Sequence, residues 1–528
     1  MPARARFLPA AAAATAAILT SAGLAGPAAA QTPTPPPYLA NFSAAQGWGF
    51  APNLTPNLPG DVFVPAKQAL ENNQQFPQVQ RLFDLWSWQA LLAVSWPTGP
   101  NGQPAGSING YDPTNPNPAW LSWHESDQIF LPNGAIPAAC NAQTTVAAAG
   151  RAPRTLAVAN LRGLPAPPQA AAQRPRRLLF NASAVGELVH GRDTVKPQKS
   201  RQPQSVASAG RISEIDQAFS GPLYDQNGNP TFYEILMDDN EANYICTNKL
   251  YNINGQVAFS SNQSNKVQFP SGTWQNDRSG AFELKLAWKI LDPQKDNADR
   301  FFKMPAQVLL NGQWVERNMG LVGMHIAHKS QSSPQWIWST FEQVDNLSTD
   351  QVANPNLNPS YNNPGCPTCV VNVQPPAAGT PTQVLRLIAI PPDKQALNQQ
   401  AQAALKAAGS VWQHYQLIDT QWPTDPTAAP TPPGDANLPD SINNKSGGRP
   451  TPVFLTNATM ETYFQTGNQN AAGLEENAPT STQQAFGTES CMGCHSSAGV
   501  AVSMQPTYGP QLSGDFSWLL QMKAQAAQ

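Results

Sequence analysis

Charge is scarce in this chain. Of its 528 residues only 12% are Asp, Glu, Lys or Arg, about half the usual share. The 31 basic and 34 acidic side chains nearly cancel, for a net charge of -3. So little charge excludes a polyelectrolyte disordered chain and offers no basic footprint for nucleic acid. Long apolar runs are also missing. After residue 30 nothing approaches the roughly 18 consecutive apolar residues of a membrane-crossing helix, so the mature chain has no transmembrane segment. Neither a Gly-rich phosphate loop nor a Ser-His-Asp arrangement is present, and no side chain is singled out as catalytic. His and Cys number six each.

Proline and tryptophan are plentiful. The 53 Pro residues, about twice the average frequency, imply many turns and long loops. The 14 Trp residues each need a large apolar environment, so substantial cores are expected. The first thirty residues carry Arg4 and Arg6, an apolar stretch from Phe7 to about Leu24, then Ala28 and Ala30 in small-x-small spacing. This is the grammar of an export signal cleaved near Ala30, with Gln31 as the mature start. The remainder divides into a Trp-rich region (31–135), a basic Ala/Pro/Arg-rich insertion (136–213), a strand-rich region (214–348), a mixed region with a helix and Pro-rich loops (349–450) and a terminal region (451–528). In the insertion, Lys and Arg outnumber Asp and Glu eleven to two between 141 and 211. Its plain reading is a solvated excursion; the sharper one is a basic arm for an acidic redox partner or an anionic surface.

Hydrophobic periodicity predicts α+β architecture, strand-rich, with an antiparallel sheet as the body and a few helices. Helices are expected over 80–96 and 393–408, and partial helix over 117–132 and 451–465. Period-two runs predict strands at TFYEILMD, NYICTNKLYN, AFELKLAWKIL, FFKMPAQVLL, RNMGLVGMHIAHKS, QWIWSTFEQVD, TQVLRLIAIPP and SVWQHYQLIDTQWP. Asn-Gly inside NINGQ (252–256) reads as a hairpin turn.

The segment with chemistry is TESCMGCHSSAGV, residues 488–500. Cys491 and Cys494 are spaced so that both sulfurs reach the two vinyl positions of one porphyrin, and His495 follows as proximal iron ligand. One covalent haem c is therefore expected, and a periplasmic or secreted location, since haem c is attached outside the cytoplasm. Here the chain resembles c-type cytochromes, and its strand-like phrases are similar to those of large exported cytochrome c family proteins. A motif so near the C-terminus behind a strand-rich body also resembles the β-sheet c-type cytochromes. That resemblance implies that the upstream chain builds the pocket and the terminal motif closes it.

On the far side of the iron two candidates stand out. Met504 follows His495 by nine residues. His325 and His328 lie three apart on one strand and so face opposite sides; His325, sharing a face with Leu321 and Gly323, is favoured. Met319, Met324, Met460, His124, His190 and His414 are further possibilities, and Glu125, Glu342 and Glu461 are acids that could serve near a haem. Trp336, Trp338 and Thr340 share a strand face and read as packing. The other four cysteines, Cys140, Cys246, Cys366 and Cys369, are expected in two disulfides with pairing left open. The functional expectation is electron transfer by a periplasmic monohaem c-type cytochrome with a redox partner protein. The alternative is a haem enzyme with an open distal position, peroxidase-like or oxidising a small nitrogen compound.

Overall fold

A computed structural model describes residues 34–39, 54–99, 102–110, 118–141, 177–179, 222–275, 278–310, 313–347, 358–373, 375, 377–428, 448–463, 490–496, 498–504 and 513–527. Apart from residues 34 and 35 these belong to one compact unit, Pro36–Gln528. The expected export signal, most of the basic insertion, His190 and most of the Pro/Thr-rich stretch before 448 lie outside the described residues.

Among the described residues nine strands form one sheet: β1 (His124–Glu125), β2 (Arg177–Leu179), β3 (Phe232–Met237), β4 (Phe282–Ile290), β5 (Lys303–Leu310), β6 (Gln313–His328), β7 (Ile337–Gln343), β8 (Tyr415–Pro423) and β9 (Pro450–Thr451). Their order is β1-β3-β4-β6-β7-β8-β9, with β5 on β6 and β2 on β5. Pairing is antiparallel except for β2, which comes from the basic insertion and runs parallel to β5. β6 is long because it serves two neighbours on one edge, β5 along residues 313–320 and β7 along 323–328. The α+β expectation with an antiparallel sheet body is correct. The described helices are α1 (Val64–Asn72), α2 (Phe76–Ser95), α3 (Ser126–Ile129), α4 (Ala138–Asn141), α5 (Asp239–Thr247), α6 (Ile253–Ser260), α7 (Pro392–Ala407), α8 (Cys491–His495) and α9 (Leu519–Met522). None is long and apolar enough to cross a membrane.

α2 is apolar nearly all round because it is buried nearly all round. It lies on one sheet face: Trp86 stacks on Phe282 and His328, Phe83 on Trp422, and Ser87 Oγ is 2.7 Å from both Ser339 Oγ and Thr420 Oγ1. Each large apolar side chain so buried stabilises the fold by about 1.5–3 kcal/mol. α7 closes the same core, where Lys394 Nζ lies 2.8 Å from both Asp84 and Asp419. A register shift opposite Thr340 and Phe341 turns both Asp419 and Thr420 towards α2.

Four expectations need correction. NYICTNKLYN begins in a helix, not a strand: Asp238 caps α5 by accepting from Glu241 N, and Ala242 and Ile245 are buried at helical spacing. Asn-Gly at 254–255 opens α6 instead of a hairpin, because Asn252 caps it and accepts from Gly255 N. Gly255 is needed for closeness, since a Cβ there would lie 1.8 Å from Lys249 O. TQVLRLIAIPP runs extended without strand pairing, held instead through Thr382 N to Tyr224 O and Val384 N to Tyr361 O. In the 451–465 stretch the described residues, to 463, form β9 and turns rather than helix.

The disulfides are Cys140–Cys246 and Cys366–Cys369. The first spans 106 residues and ties α4 to α5; a loop of that length stabilises by about 4.7 kcal/mol in the chain-entropy model. The second closes a separation of only 3 and adds far less.

Candidate functional site

The opposite sheet face carries the terminal segment. Ser490 caps α8 by accepting from Gly493 N at 3.1 Å. Gln421 of β8 fastens the helix to the sheet: its Oε1 accepts from Met492 N at 2.7 Å and its Nε2 donates to Ser490 Oγ at 3.1 Å. Met492 is fully buried beneath α8. A helical turn puts positions i and i+3 on one side, so Cys491 and Cys494 share a side of α8, and both are thiols. Cys491 packs beside Ile390, Ile418 and Leu455. Burial, then the Glu461 carboxylate, pushes its thiol well above the ordinary range.

His495 Nδ1 donates to Phe516 O at 2.7 Å. That bond fixes the tautomer and leaves Nε2 with the lone pair. Burial pulls the imidazole pKa down to about 4, with Lys285 and His325 adding to the effect, so the ring is neutral at physiological pH. Trp338 of β7 lies against it, ring centroids 4.4 Å apart. The residues presenting Phe516 O are unusual: Asp515 and Phe516 have φ of 52° and 71°. Left-handed backbone costs a side-chain-bearing residue about 1–2 kcal/mol, and a buried aromatic there is held by its surroundings.

Facing this segment, His325 of β6 lies beside Lys285 of β4 and Thr340 of β7 in one cross-sheet row. Its Nδ1 is 2.9 Å from Thr340 Oγ1, and its Nε2 is 3.0 and 3.2 Å from the two Glu461 oxygens. Glu461 also accepts from Asn457 N at 2.8 Å, and Lys285 Nζ approaches it to 4.0 Å. Burial works against the Glu461 carboxylate, but His325 and Lys285 more than offset it and hold it below the usual carboxylate range. The charges of Glu461 and Lys285 are felt at both Cys491 and His495. Gly323 makes room for this arrangement, because a Cβ there would meet Thr459 Oγ1 at 2.2 Å.

His328 points the other way, into the α2 core. Its Nε2 is 2.7 Å from Gly60 O, and its ring stacks on Phe282 with centroids 3.9 Å apart. Leu321 does not share a face with His325, as simple alternation predicts. The ladder shifts register between Ala287 and Trp288, skipping Val322, so Leu321 joins the α2-side core and Val322 packs with Tyr361. Met504 is 49% exposed. Met319 and Met324 belong to the α2-side core, Met460 to a separate cluster with Tyr361, His124 bonds Asp239, and His414 lies in a short 3-10 turn before β8. Glu342 is fully buried in a two-point ion pair with Arg386. Glu125 caps α3.

Of these residues, Ser490 had a readable signal, an N-cap residue directly before the motif. Gln421 and Phe516 had none, since each meets its partner through long-range folding, and Glu461, named above as a candidate acid, had no signal for its partner His325. Among the described residues no group of three or more His, Cys, Asp or Glu converges as a metal site. A porphyrin asks for less, namely two thiols and one oriented imidazole, and that donor set is present. No protein-family model, curated protein or solved structure matches this chain.

Proposed function

We propose that this chain is an exported monohaem c-type cytochrome that transfers electrons. One haem c would be held covalently by Cys491 and Cys494, with His495 as iron ligand. The observation that carries the reading is the His495 Nδ1 bond to Phe516 O, which orients a neutral imidazole in the tautomer a ligand needs. Haem c, when bound, supplies one-electron exchange at iron. The chain's own residues do the rest. Ser490 and Gln421 fix the helix that presents the thiols, and Trp338, itself packed on Phe516, lies against the imidazole. Export after cleavage near Ala30, a periplasmic or secreted location and a redox partner protein belong to the same proposal. The resemblance of the motif to c-type cytochromes supports it. In haem-stained denaturing gels of exported protein, the parent should stain and the Cys491→Ala/Cys494→Ala variant should not. Stain persisting in the double variant refutes the attachment.

A second reading, a haem enzyme with an exchangeable axial position, is favoured by His325. Both its ring nitrogens are engaged, by Thr340 and Glu461, which suits an acid–base group better than a second iron ligand. Met504, half exposed, is no better offered to iron. Carbon monoxide or cyanide shifting the Soret band of the parent would favour this reading; an unresponsive spectrum favours electron transfer with two protein ligands.

A further inference from the structure

We propose that residues 515–517 are a positioning clamp that sets the tautomer and donor strength of His495, an inference that rests on the haem reading only for its electrochemical consequence. The clamp has three parts. Asp515 is buried and grips Lys329, just past the end of β6, with both carboxylate oxygens, while its Oδ2 accepts from Phe269 N at 2.7 Å. Phe516 is buried against Met492 and Trp338, and its carbonyl receives His495 Nδ1. Ser517 Oγ lies between two acids, 3.2 Å from Glu241 of α5 and 3.0 Å from Glu283 of β4. Backbone bonds close the device: Ser517 N donates to Gly514 O, Gly514 N to Ala498 O, and Ala498 N to His495 O.

The geometry explains why two successive side-chain-bearing residues hold positive φ. An unclamped chain would relax from the left-handed region, and the peptide between Phe516 and Ser517 would turn its carbonyl away. Asp515 and Ser517 anchor the residues on either side, one through a cation at the sheet end and the other through the acid pair. The carbonyl between them then has one direction, towards the imidazole. These three residues act on His495 from its Nδ1 side and leave Nε2 untouched, so they are positioning residues. A carbonyl accepting from Nδ1 makes the imidazole a stronger donor through Nε2, which favours the ferric state.

The test uses Ser517→Ala, which removes one hydroxyl, Asp515→Asn, which keeps the shape but weakens the grip on Lys329, and Ser517→Thr, which restores the hydroxyl. In the chain without haem, nitrogen-15 NMR of His495 should show the Nδ1–H tautomer dominant in the parent and in Ser517→Thr. It should show a mixture in Ser517→Ala and Asp515→Asn. In the haem-loaded protein the midpoint potential should rise in the same two variants and return in Ser517→Thr. Parent-like tautomer and potential in a folded Ser517→Ala overturn the clamp, whether or not Asp515→Asn folds. If the parent carries no haem, the cytochrome reading fails separately, and the tautomer measurement still decides the clamp.

Discussion

The two faces of the sheet treat the same materials differently. Each receives one histidine from β6 and a cation–carboxylate cluster, buried on the α2 side and half-buried on the other. On the α2 side, His328 is sealed between aromatic rings and backbone carbonyls, and Lys394 is locked between Asp84 and Asp419. On the α8 side, His325 keeps both nitrogens on polar side chains, and Lys285 and Glu461 stand close enough to act on Cys491 and His495. Three residues of strand separate a histidine that serves packing from one available for chemistry. The lesson is that the face, not the residue type, decides the role of a histidine or an ion pair in this fold.

Removing the cation from the α2 side should give the largest effect. Lys394→Met leaves Asp84 and Asp419 buried without their partner, and losing one member of such a cluster costs about 3–5 kcal/mol. Urea or thermal unfolding measures it. With haem bound as proposed, the folded fraction should keep the parent's spectrum, and a changed spectrum would break the separation of the two faces.

The histidines sharpen the comparison directly. His328→Ala should destabilise by about 2–4 kcal/mol through the cavity it leaves and leave the Soret band alone. His325→Ala should cost about 1–2 kcal/mol from lost hydrogen bonds yet alter the Soret band, ligand affinity or midpoint potential. Equal spectral effects from the two would erase the distinction. His328 also carries a pH signature. Burial lowers its pKa to about 4 from an ordinary 6.5, so the unfolded chain binds the proton first. Its contribution is therefore lost as pH falls from 6.5 towards 4.

A smaller effect concerns the acid pair behind Ser517. Burial, and for Glu241 also the neighbouring Glu283, raises both pKa values, Glu283 to about 7 and Glu241 well above the ordinary carboxylate range. Folded-state values above the unfolded ones give stability that is complete below about pH 4.5 and lost as pH rises through 7. Glu241→Gln mimics the protonated acid, so its unfolding free energy should fall less than the parent's between pH 5 and 8. The retained part should be on the order of 1 kcal/mol, the scale of one net hydrogen bond. Parallel pH profiles would show that the pair does not hold the extra proton.

How much of this was legible beforehand differs by kind of signal. Short-range signals read well for the helices α2 and α7 and for the alternation that separates His325 from His328. Competing short-range signals read badly. Around 239–260 period-two apolarity and Asn-Gly suggested strands and a turn, but Asp238 and Asn252 act as helix caps and the caps win. The bulge at Val322 reverses the face of Leu321, and only the β4 ladder reveals it. The partners of the motif were illegible. Gln421 lies 71 residues from Met492, and Glu461 lies 136 from His325. Nothing local to either residue announces its destination.

The most direct test of the central claim is peptide mass spectrometry of the exported parent protein across residues 488–500. One haem mass bound to the peptide containing Cys491 and Cys494, stable to denaturation and acid extraction, is the predicted result. A peptide of unmodified mass, with both thiols open to alkylation in protein exported alongside active haem c assembly, would contradict it.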